Sequence, residues 1–87
     1  MLQLPEVLTQ TTATACMGAQ LSALSEVSGK AVVDASRLET FDSVALAFLL
    51  ELRRSALAQG KTFEVSGIPE RLSDLARLYG VAELLVP

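Results

Sequence analysis

Asp42 and Ser43 are the side chains whose types and position invite chemistry. They stand directly before the apolar run 44–50, where a short polar turn hands over to a helix. An oxygen at that place can accept from a free backbone N–H of the first helical turn. The same place favours a phosphate or a partner's polar group, because a helix N-terminus carries partial positive charge. Ser43 is therefore read both as part of a cap and as a group that a partner can reach. Phosphorylation of Ser43 would be favoured by the helix end and opposed by the Asp42 carboxylate beside it. Other candidates are weaker. Asp34, Glu39 and Asp42 could converge near one strand end, but such a trio is ordinary in an acidic domain, and no metal site is assigned. Cys16 has no cation or second cysteine nearby in sequence and reads as a small buried hydrophobe.

Composition removes several function classes. A single cysteine allows no intramolecular disulfide, and the absence of histidine takes away the commonest general base and transition-metal ligand. Neither a G-x-x-x-x-G-K-[ST] loop nor a G-x-G-x-x-G turn occurs, and no nucleophile stands beside a base. The reading is accordingly not an enzyme, with no cofactor. Net charge is −3 without a Lys/Arg cluster, which sets nucleic acid aside. The start of the chain lacks the basic residues of a secretory signal, and no apolar run approaches the ~20 residues of a membrane span. A cytoplasmic protein is expected, associated with a membrane at most through a complex.

The elements that must position Asp42 and Ser43 follow from a repeated grammar. With 87 residues the chain makes one small domain, and 51% hydrophobic residues with only 5% aromatics call for an aliphatic core. A helix-like stretch, a glycine and a strand-like stretch recur at Gly29, Gly60 and Gly80, where glycine past a helix end takes the left-handed conformation at low cost. The strands are expected at 31–35, 62–66 and 83–86. The first reads as a β-branched core strand. The second alternates, with Phe63 and Val65 on one face. Near the N-terminus, Leu2, Leu4, Val7 and Leu8 are interrupted by Pro5, so that strand belongs at an edge or a bulge. Its outer edge is then open, or pairs with another copy. Ala13, Met17, Leu21 and Leu24 form the stripe of a first helix, capped by Thr9, Thr11 or Thr12. A second helix is predicted over 43–59, apolar all round in its first turns, so that it is either fully buried or has a face reserved for a partner. A third starts near Pro69, with Leu72, Leu75, Ala76 and Tyr79 facing inward. Strands alternating with helices give an α/β fold, a mostly parallel or mixed sheet of about four strands with three main helices. In a parallel sheet the Gly67-Ile68-Pro69 turn lies at the same end as Asp42-Ser43.

With the elements in place, the sequence resembles a STAS domain. The resemblance is carried by Ala31-Val32-Val33-Asp34-Ala35, then Phe41-Asp42-Ser43-Val44-Ala45-Leu46, then Ile68-Pro69-Glu70-Arg71-Leu72 through Leu75-Ala76-Arg77-Leu78-Tyr79-Gly80-Val81. The family pattern is a strand, Asp-Ser/Thr-x-Gly-Leu opening a long apolar helix, then a strand, a proline-started helix and a Leu-Tyr-Gly-Val-like ending. Two departures stand out: Ala45 replaces the family's glycine, and the N-terminal end is short. Within the family, length and ending are similar to the small STAS subunit of Mla-type phospholipid ABC transporters, which binds the cytoplasmic ATPase. Anti-sigma factor antagonists are the other similar group. In them a kinase phosphorylates the serine at the position of Ser43. The resemblance implies a protein partner, either a transporter ATPase or a kinase of the anti-sigma type. The expected partner-binding surface comprises Thr40, Phe41, Asp42, Ser43, Val44, Gly67 and Pro69.

Overall fold

Leu2 and Leu4 before Pro5, and Val7 and Leu8 after it, are the apolar residues of the first segment. A computed structural model describes residues 2–85. Strand β1 (Leu2–Gln3) precedes the proline and β2 (Val7–Leu8) follows it. The remaining elements are α1 (Gln10–Ser25), β3 (Lys30–Asp34), β4 (Thr40–Phe41), α2 (Val44–Ala58), β5 (Thr62–Ser66), α3 (Glu70–Leu78) and the short α4 (Ala82–Leu85). The interruption at Pro5 thus yields two strands that serve different sheets. β1 joins a three-stranded sheet of order β1-β3-β5, and β2 pairs with β4. Every pairing is parallel. Because the order of the three-stranded sheet advances in one direction, crossovers of one hand place the helices on one face.

The register shows which face that is. Leu2 pairs with Val33, Val33 with Val65, and Ala31 with Phe63. Leu2, Ala31, Val33 and Val65 are buried with Leu24 of α1, Leu49 and Leu52 of α2, and Leu72 of α3. The opposite face carries Lys30 beside Thr62, Val32 beside Glu64 and Asp34 beside Ser66. An ion pair of 2.9 Å joins Lys30 and Glu64 on it. Parallel sheets are usually covered on both faces, whereas here one face stays polar, as the alternation of β5 predicts. β3 follows the same rule, so it is a half-covered strand and not a strand buried on both sides. The outward carbonyl of Gln3 accepts from the Gln20 side-chain amide at 2.9 Å, so α1 already engages the β1 edge.

Three sequence expectations are corrected. A strand was expected at 83–86. Glu83, Leu84 and Leu85 are instead helical, and Val86 lies outside the described residues. The Leu84 N–H bonds the Val81 carbonyl, Leu85 is buried and Leu84 faces out. A short apolar run reads as strand or helix equally well by pattern, and Ala, Glu and Leu favour the helix. Tyr79, expected in the inner stripe of α3, is 57% exposed. It is the C-cap residue, and Gly80 at φ 72° turns the chain away before the stripe reaches it. Finally, Gly29 does not end a helix, since α1 stops at Ser25 and Gly29 leads into β3. The pair β2–β4 was missed because each strand has two residues and its partner is distant in sequence.

Candidate functional site

Parallel β3 and β5 end on the same side of the molecule, and β4 delivers the chain to that side before α2 begins. Residues 41–43 form the corner. The side chains there divide the capping differently from the sequence expectation. Ser43 already has helical dihedrals, φ −63° and ψ −17°, and makes no side-chain capping hydrogen bond. Asp42 does that work: its Oδ1 accepts from the Val44 N–H at 2.9 Å. Its Oδ2 reaches across to accept from the Gln10 N–H at 3.4 Å. One carboxylate therefore addresses the starts of both α1 and α2, where free N–H groups are concentrated. Both Asp42 and Ser43 are exposed.

α3 completes the corner. The Arg71 guanidinium lies 5.3 Å from the centre of the Phe41 ring, a cation–π distance. Gly67 packs against the Ser36 turn so tightly that a Cβ on it would stand 2.9 Å from the Ser36 Cβ. The Ala35 N–H donates to the Ser66 carbonyl at 2.9 Å, which ties the two strand ends together. Phe41 is thus bridged to the start of α3, and the Gly67 turn stands at the same end as Asp42 and Ser43. Thr40 and Gly67 are exposed, while Phe41, Val44 and Pro69 are half-buried.

The other candidates have local occupations. Asp34 Oδ1 accepts from the Ser36 N–H at 2.9 Å. Hydrogen bonds from Ser36, side chain first and then backbone, hold the Asp34 carboxyl below the ordinary aspartate value. Among the described residues no three His, Cys, Asp or Glu side chains gather to hold a metal ion. Cys16 is half-buried, and that burial pushes its thiol above the ordinary value, against a smaller lowering by Gln20. No described helix is long and apolar enough to cross a membrane.

One feature escaped the sequence reading. An open groove of about 470 Å³ runs between α1 and α2, bordered by Thr14, Gly18, Val44 and Ala47 over a floor that includes Met17 and Phe48. The available signal was Gly18, four residues after Thr14 inside a helix, but the Ala13–Met17–Leu21 spacing reads as ordinary core.

The order of elements, the Asp42-Ser43 corner before an apolar helix and the proline-started α3 fit a known family. The family model described as "Mlab, STAS domain" matches residues 1–87. The chain belongs to the STAS domain family. No curated protein is significantly similar to it in sequence. As a STAS domain it is a protein-interaction module of the group that includes Mla subunits and anti-sigma factor antagonists. STAS domains are in general binding modules without enzymatic activity.

Proposed function

We propose that this STAS domain is a non-enzymatic subunit that docks on the cytoplasmic ATPase of an ABC-type phospholipid transporter through the corner at Thr40, Phe41, Asp42, Ser43 and Val44, with Gly67 and Pro69 beside it. The observation that carries the reading is the free hydroxyl of Ser43. Capping of α2 falls to Asp42, so Ser43 is exposed without a structural task of its own. A hydroxyl held by a rigid helix start, next to a carboxylate already fixed by two N–H groups, is a preorganised polar contact for another protein. The description of the matching family, which names Mlab, supports transport over other uses of the module.

The same free hydroxyl favours one alternative, an anti-sigma factor antagonist phosphorylated on Ser43 by its partner kinase. Two measurements separate the readings. Binding of the purified transporter ATPase to the full chain, weakened at least tenfold by Ser43→Arg with unfolding unchanged, supports the transport reading. A gain of one phosphate in intact mass after incubation with the cognate anti-sigma kinase and ATP supports the alternative. If Ser43→Ala and Ser43→Asp both bind either partner as tightly as the unaltered chain, the corner is not the docking point.

A further inference from the structure

We infer that the outer edge of β5 is an interface with a second copy of this chain. Two β5 strands pair antiparallel about a two-fold axis at Glu64, joining two three-stranded sheets into one.

Hydrogen-bond direction defines the edge. The Thr62 N–H donates to the Gly29 carbonyl, and the Ser66 carbonyl accepts from the Ala35 N–H. In the parallel register with β3, Thr62, Glu64 and Ser66 therefore bond inward. The N–H and carbonyl groups of Phe63 and Val65 point away from the sheet. β5 is the last strand in the order β1-β3-β5, and none of those outward groups has a backbone partner among the described residues. An extended backbone is the ligand that such a row of alternate donors and acceptors fits. β5 has no proline or glycine to spoil that pairing. The other edge of the sheet differs, since β1 is two residues long and the Gln20 amide already occupies the Gln3 carbonyl.

Self-complementarity selects the occupant. With Glu64 of one copy facing Glu64 of the other, Phe63 of each stands opposite Val65 of its mate. That pair exchanges both backbone hydrogen bonds, so every outward group is satisfied at once. The side chains match as well. On the helical face the Phe63 ring, only partly covered by its own core, meets a β-branched neighbour. On the polar face Thr62 meets Ser66, a favourable hydroxyl pair. The one like-charge pair, Glu64 against Glu64, is balanced because Lys30 holds the Glu64 carboxylate at 2.9 Å in each copy. Such an interface uses the same patch twice and closes as a dimer. The axis turns the second β5 end for end, so the two Asp42-Ser43 corners lie at opposite ends of the joined sheet. The interface is therefore independent of docking at the corner.

The test uses the full chain. Sedimentation equilibrium is expected to show mass rising with concentration toward two chains. The Phe63 and Val65 amides are expected to gain protection from hydrogen exchange in step. Phe63→Pro removes one outward N–H without touching the β3 ladder and is expected to weaken dimerisation at least about tenfold. Register gives a readout that does not depend on that variant folding. In a Cys16→Ala background, Glu64→Cys places two thiols on facing residues whose Cα atoms are about 4.5 Å apart, within disulfide reach. Oxidation with diamide is expected to link Glu64→Cys to itself, and Thr62→Cys to Ser66→Cys in an equal mixture. Both should form at least about tenfold faster than the link of Ser66→Cys to itself. Equal rates for all three overturn the register and the inference with it. A chain that stays monomeric at every concentration does the same. Full exchange protection of Phe63 and Val65 that ignores concentration assigns the edge to cover from within one chain, and also overturns it. Each of these failures leaves docking on the ATPase standing.

Discussion

At the scale of single residues, Asp42 and Ser43 look interchangeable in sequence and differ in the fold. Asp42 accepts from the first turns of two helices, and Ser43 accepts and donates nothing through its side chain at the cap. Asp42→Ala is therefore expected to lower stability by about 1–2 kcal/mol, the upper range for a lost cap. Ser43→Ala is expected to stay within about 0.5 kcal/mol, as for an uninvolved surface position. Urea unfolding of the two variants checks both, and equal losses would return the capping role to Ser43. Asp34 offers a pH test. Its folded carboxyl is held below the ordinary value by Ser36, so the folded state favours the ionised form. That contribution is present above the ordinary aspartate range and fades as pH falls through the lowered folded value. The stability gap between the unaltered chain and Asp34→Asn should accordingly be constant near neutrality and close in acid.

At the scale of elements, the sequence was most legible where pattern and punctuation agree. α2 runs Val44–Ala58, inside the expected 43–59, because an apolar block is bounded by a polar pair and by Gly60. β5 appears at Thr62–Ser66 as its alternation requires, and Pro69 starts α3. Legibility failed where stretches are very short. Glu83, Leu84 and Leu85 became part of α4 rather than of a strand, and β4 formed only because distant Val7–Leu8 was available. The corner was legible as residue types, but its division of labour was not, since the Gln10 contact depends on a tertiary approach. Glycines show the same contrast. Gly67 sits at φ 65° with Ser36 against it, so Gly67→Ala meets both an unfavourable backbone and a clash and is expected to cost at least about 1–2 kcal/mol. Gly18 has helical backbone and open space, so Gly18→Ala is expected to stabilise by about 0.5–1 kcal/mol. Thermal unfolding of the two variants should move in opposite directions.

At the scale of the whole molecule, the organising fact is that, among the described residues, a parallel sheet is covered on one side only. Neighbouring residues of the central strand then live in different worlds. Val33 is buried between the sheet and the helices, in register with Leu2 and Val65. Val32, one residue earlier, stands opposite Glu64 on the polar face and is half-exposed. Truncating Val33 removes two methyl groups from a packed core and leaves a void, because the three-stranded layer cannot close in from the open side. Val33→Ala is expected to cost about 2 kcal/mol, near 10 °C in melting temperature for a domain of this size. Val32→Thr keeps the β-branched shape that suits a strand and places its hydroxyl where water and Glu64 can meet it, so its cost should remain under about 1 kcal/mol. Scanning calorimetry of both variants checks the asymmetry. Equal losses at the two positions would mean that something covers the polar face as well. The two-layer architecture would then have to be abandoned.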